Sequence, residues 1–138
     1  MTVNEIQELV NQYDYWDLRV LSLECNYFAD EIKLVYDDTD GYCVIYNFEG
    51  CYKSIFDHVK GYDKLRPVRE MVTGQIPYFL QAVDVSETTM DNVHFYIVKI
   101  NMFPLYLEVW CKDIKVQKEK LEKTRNSKDY VNLQTDVR

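Results

Sequence analysis

Residues 36–50 read YDDTDGYCVIYNFEG: three aspartates, Asp37, Asp38 and Asp40, followed by a run in which Tyr42, Val44, Tyr46 and Phe48 alternate with Cys43, Ile45 and Asn47. Alternation at period two is the pattern of a β-strand. Aspartate and glycine tolerate the left-handed backbone that a tight reversal demands. The stretch is therefore expected to be a hairpin turn followed by a returning strand. Both faces of that strand carry apolar side chains, which places it in the middle of a sheet.

Upstream, EIKLVY sets Ile32, Leu34 and Tyr36 on one face and Glu31 and Lys33 on the other. Before it, Leu18 and Val20 occupy one phase and Leu21, Leu23 and Cys25 the other, a switch that marks a β-bulge. FADE is the expected link between these two strands. At the N-terminus the period changes to helical: Val3, Ile6, Leu9 and Val10 form one apolar stripe, and Thr2 with Glu5 has the spacing of a capping box.

Downstream, EGCYKSIF reads as a reversal and a further strand. Residues 57–75 promise no more than a helical turn around VREMV. Period two returns in IPYFLQAVDVSE, in VHFYIVKIN and in LYLEVWCKDIKV, the last two joined by NMFP, whose proline suits a connection. The expectation is an α+β, mainly β domain: an antiparallel sheet of about seven or eight strands curled into a partial barrel or sandwich, with a short N-terminal helix. The domain is expected over residues 1–116. A charged extension over 117–138, solvated helix or tail, follows, with Leu121 alone among charges.

The 138 residues are 47% hydrophobic and 14% aromatic, a composition that folds. No long apolar run and no secretory leader pattern occurs, so a soluble cytoplasmic protein without membrane contact is expected. Cys25, Cys43, Cys51 and Cys111 are too sparse for a disulfide framework and read as reduced, buried thiols. The net charge of −7 is uneven: residues 1–114 carry 19 acids and 9 bases, residues 115–138 carry 4 acids and 7 bases. An acidic body disfavours direct nucleic-acid binding and favours a basic protein partner.

Tests for chemistry return little. An EF-hand reading of the aspartates meets Tyr42 where an oxygen ligand is wanted. No C-x-x-C pair supports zinc, and no glycine-rich phosphate loop occurs. A cysteine nucleophile would need His58 or His94 as its base, and both read more simply as strand-end or surface histidines. The expectation is a non-enzyme with no metal and no cofactor. What remains is an excess of tyrosine, 12 residues, several beside acids. Tyrosine is enriched where proteins bury surface against partners. The candidate partner-binding set is Tyr36, Asp37, Asp38, Asp40, Tyr42, Tyr46, Glu49 and Tyr52.

The order of a short N-terminal helix, YWDLRVLSLECNY, IKLVYDD, VIYNFEGC and FPLYLEVWCKDI over residues 3–116 resembles the immunity proteins of contact-dependent growth inhibition and related polymorphic toxin systems. The resemblance implies a non-enzymatic inhibitor of a cognate toxin C-terminal domain, in many such systems a basic nuclease. The aspartates would then be interface anchors, and reversing all three to lysine should weaken binding while leaving the fold intact. The alternative is a small-ligand module with a tyrosine-lined pocket. Free, the protein is expected to be a monomer or weak homodimer, since unpaired strand edges can pair.

Overall fold

The computed structural model describes residues 1–60, 62 and 67–121. Its first element is helix α1, Val3–Asn11, and the capping box is formed: Glu5 N–H donates to Thr2 Oγ1 at 3.1 Å and Thr2 N–H to Glu5 Oε1 at 3.0 Å. The Thr2 backbone N–H bonded to the ionised carboxylate, and after it the Thr2 hydroxyl, hold the Glu5 pKa below its ordinary value. Among the described residues eight strands follow: β1 Val20–Asn26, β2 Glu31–Asp37, β3 Tyr42–Glu49, β4 Lys53–His58, β5 Ala82–Met90, β6 Val93–Met102, β7 Leu105–Cys111 and β8 Asp113–Lys120.

The strands divide into two antiparallel four-stranded sheets, ordered β1-β2-β3-β8 and β4-β7-β6-β5. Of the two shapes expected, the sandwich is found. Inward-facing Ile32, Leu34, Val44, Tyr46, Phe48 and Ile114 of the first sheet share one core with Val83, Val98, Ile100, Leu107, Val109 and Cys111 of the second. Ile6 and Val10 of α1 are buried in the same core, and Tyr46 OH donates to Val10 C=O at 3.2 Å, fixing the helix to the sheet. Burying each such side chain contributes roughly 1.5–3 kcal/mol.

The expected bulge is present: the β1–β2 register slips between Val20 and Ser22. It sends Leu21 to the outer face, where it joins Val35, Cys43 and Ile45 in a small second cluster. Leu121 packs on this cluster and so is not alone among charges. The helical turn expected around VREMV is a 3-10 turn, Val68–Glu70. Phe103 and Pro104, joined by a cis peptide, link β6 to β7.

LYLEVWCKDIKV, read as one strand, is two. β7 belongs to the second sheet and β8 to the first, with the chain crossing at Lys112. The signal is a change of phase: the buried positions are Leu105, Leu107, Val109 and Cys111, then Ile114. Pairing also continues to Lys120, which lies opposite Tyr42, so residues 117–120 are strand and not extension. Residues 122–138, with Lys123, Arg125 and Lys128 of the basic run, lie outside the described residues.

One sheet edge is closed by side chains. Gln7 Nε2 donates to Val83 C=O at 2.9 Å, Val85 N–H donates to Gln7 Oε1 at 2.8 Å, and Val83 N–H donates to Tyr15 OH at 3.1 Å. The carboxamide of Gln7 thus takes the place of a neighbouring strand on β5, an edge that would otherwise be open to pairing.

Candidate functional site

The eight candidate residues do not form one surface. Tyr36 and Tyr46 face the core and are 0% exposed, packed edge to face with ring centroids 5.5 Å apart. Burial raises both phenol pKa values. No partner can touch them without opening the sandwich. The alternation shows correctly which residues share a face; it cannot show that this face is covered by the second sheet.

The remaining six fall at opposite ends of β3. Asp37, Asp38, Asp40 and Tyr42 lie at its start and Glu49 at its end, about 23 Å away at 3.3 Å per residue, with Tyr52 just beyond. At the first end the acids are largely committed to the fold. Asp38, whose side chain is 12% exposed, pairs with Lys118 Nζ at 3.1 Å and accepts from Thr39 N–H at 2.8 Å. The same ammonium lies 5.1 Å from the Tyr42 ring centroid and 5.5 Å from that of Tyr13. Asp37 is half-buried, and burial raises its carboxyl pKa. Asp40 is exposed.

At the other end the chain crosses twice between the sheets, side by side. Lys112 N–H donates to Glu49 C=O at 3.0 Å, Tyr52 N–H to Trp110 C=O at 2.8 Å, and Cys51 N–H to Asp30 C=O at 2.9 Å. Gly50 sits at φ +63°, and a Cβ there would meet Lys112 Cβ at 3.1 Å, so any other residue would strain the backbone and crowd the Lys112 side chain. These crossings, with the β5–β6 turn, enclose a groove of about 270 Å³. Its apolar wall is Cys51, Tyr52, Met90, Val93 and Phe95, and Asp30, Asp91 and Lys112 supply charge. Tyr52 stacks on Phe95 at 5.1 Å, lies 6.4 Å from Trp110, and remains 58% exposed. Glu49 pairs with Lys115 at 3.2 Å.

Beside this groove, the β1–β2 turn has an unusual backbone. Tyr27, Phe28 and Ala29 take φ of +53°, +57° and +67° in succession, and Tyr27 and Phe28 are among the most exposed large apolar side chains described. Each non-glycine residue in this region costs roughly 1–2 kcal/mol. The sequence gives no warning of this backbone, because the turn contains neither glycine nor asparagine.

The thiols are free. Cys43 and Cys111 are buried as expected, Cys51 is half-buried, and Cys25 is exposed, which corrects the expectation for that residue. Burial pushes Cys51 up to about 11 and Cys111 up to about 12, so neither is a ready thiolate. His58 Nε2 lies 2.8 Å from Tyr78 OH, and His94 Nε2 lies 2.8 Å from Glu87 Oε2. Among the described residues no group of three or more His, Cys, Asp or Glu is placed to hold a metal, and no helix is long and apolar enough to cross a membrane.

A family model described as Immunity protein PIM7 matches residues 2–118. The chain belongs to this immunity-protein family. The match runs from the N-cap of α1 into β8, so it takes in both sheets, the acidic turn and the groove. Membership carries a toxin-neutralising role and a cognate toxin as partner. No curated protein matches the chain.

Proposed function

We propose that this immunity protein acts without catalysis, by binding the C-terminal domain of its cognate toxin and covering a basic active-site groove, the toxin being a nuclease. The observation that carries the proposal is family membership over residues 2–118 on a chain whose first 114 residues hold 19 acids against 9 bases. A nuclease groove is basic because it binds phosphate, so an acidic inhibitor approaches it with long-range attraction, and buried aromatic contacts then slow its release. The contact set is drawn from the candidates that reach the surface, exposed Asp40 with half-buried Asp37 and Tyr42 at one end of β3, and half-buried Glu49 with exposed Tyr52 at the other. Tyr36 and Tyr46 are left out because they fill the core, which also argues against the tyrosine-lined interior pocket of a small-ligand module. The protein works in the cytoplasm as a monomer or weak homodimer.

The test is co-expression with candidate toxin domains, beginning with the reading frame immediately upstream of this one. Growth should be restored, and the purified complex should fail to degrade nucleic acid until the two chains are separated. Continued killing would overturn the inhibitor reading. A toxin that is neutralised yet never cuts nucleic acid would overturn the nuclease reading alone.

A further inference from the structure

Resting on the inhibitor reading above, we propose that the toxin is held at the groove end of the molecule, where the Tyr27–Phe28 turn and the Tyr52–Phe95 wall receive an arginine-bearing basic segment of the toxin. Exposed Tyr27, Phe28, Tyr52 and Val93 are brought to this end by three separate parts of the chain: the β1–β2 turn, the crossing from β3 to β4, and the start of β6. The turn that displays Tyr27 and Phe28 also delivers Asp30 into the groove, and Cys51 N–H anchors it there through Asp30 C=O at 2.9 Å.

Charge selects the occupant. Among the described residues the ion pairs are His94–Glu87, Lys115–Glu49 and Lys118–Asp38, and neither Asp30 nor Asp91 takes part in one. Two uncommitted carboxylates against the single Lys112 leave the groove net acidic. A guanidinium answers both of its chemistries, since its flat face stacks on tyrosine or phenylalanine while its N–H groups fork onto carboxylate. The left-handed backbone of residues 27–29 fits the same role. Closed by the bond from Asp30 N–H to Tyr27 C=O at 3.1 Å, it turns two aromatic side chains outward at the expense of fold stability.

The experiment measures binding and neutralisation of the co-expressed toxin domain by wild type, Tyr27→Ala/Phe28→Ala, Asp30→Asn/Asp91→Asn and, as a control on the solvent face of α1, Glu8→Lys. The aromatic double variant should lose at least about 100-fold in affinity, as expected of central interface aromatics. The asparagine pair should lose affinity mainly at low salt, and Glu8→Lys should change it less than about threefold. A Tyr27→Gly/Phe28→Gly variant separates binding from folding: it should melt no lower than wild type and still fail to neutralise. Full protection by both aromatic double variants would overturn this inference and leave the inhibitor reading standing. A wild-type protein that does not bind the toxin would overturn both.

Discussion

At one end of β2, residues 37–41 turn with Gly41 at φ +79°, an aspartate that caps the turn and pairs with Lys118, and Leu121 N–H bonded to Gly41 C=O at 2.8 Å. At the other end, residues 27–30 turn with three consecutive left-handed residues, none of them glycine, and with two aromatic rings in solvent. The first turn has the residues its geometry asks for and uses its charge within the fold. The second has residues its geometry disfavours and leaves its side chains unused. Local agreement between sequence and backbone marks a structural element, and local conflict that persists in a folded domain marks a surface kept for something else.

Four variants would break or sharpen this contrast. The largest effect belongs to Asp37→Lys/Asp38→Lys/Asp40→Lys. Contrary to the expectation that the fold would be untouched, the ammonium introduced at position 38 would face that of Lys118, and the variant should lose about 2–3 kcal/mol in urea unfolding. A midpoint equal to wild type would show that the Asp38–Lys118 pair contributes nothing. Next, Gly41→Ala should cost about 1–2 kcal/mol from backbone strain alone, because nothing lies within 4 Å of its added Cβ. Its mirror image is Ala29→Gly, which should stabilise by about 1 kcal/mol while both aromatic rings are kept. Calorimetry decides it, and a lower melting temperature would contradict the strained turn.

The smallest effect is one of pH. Burial raises the Asp37 carboxyl pKa in the folded state, so the folded protein holds that proton more tightly than the unfolded chain. The stability of the protonated form is fully present below the unfolded carboxylate pKa and is lost as pH rises through the folded value. Asp37→Asn, which cannot ionise, should therefore melt slightly higher than wild type at pH 7, with the gap closing in acid. A gap that widens in acid would reverse the sign and assign Asp37 a favourable charge contact.

Much of the sheet is legible in the residues alone. Period two gives the faces of β2 and β3 correctly, the phase switch after Val20 gives the bulge, and Thr2 with Glu5 gives the start of the helix. The candidate site is legible only in part. Asp40 and Tyr52 are exposed as a binding residue must be, whereas Tyr36 and Tyr46 are core and Asp38 is a cap. The shortfall has one origin, since a strand with apolar residues on both faces does not say which face will be covered.

By itself, then, the sequence determined what depends on neighbours along the chain: strand phase, turn chemistry at DDTDG, the helix cap and the acidic balance. Only the tertiary structure decided how those faces are used. It turned the tyrosines of β2 and β3 inward, split the last hydrophobic run between two sheets at Lys112, closed the β5 edge with Gln7, and gathered Asp30, Tyr52, Asp91 and Phe95 around one groove. These are contacts between residues far apart in the chain, set by which surfaces exclude water from one another, and no local period encodes them.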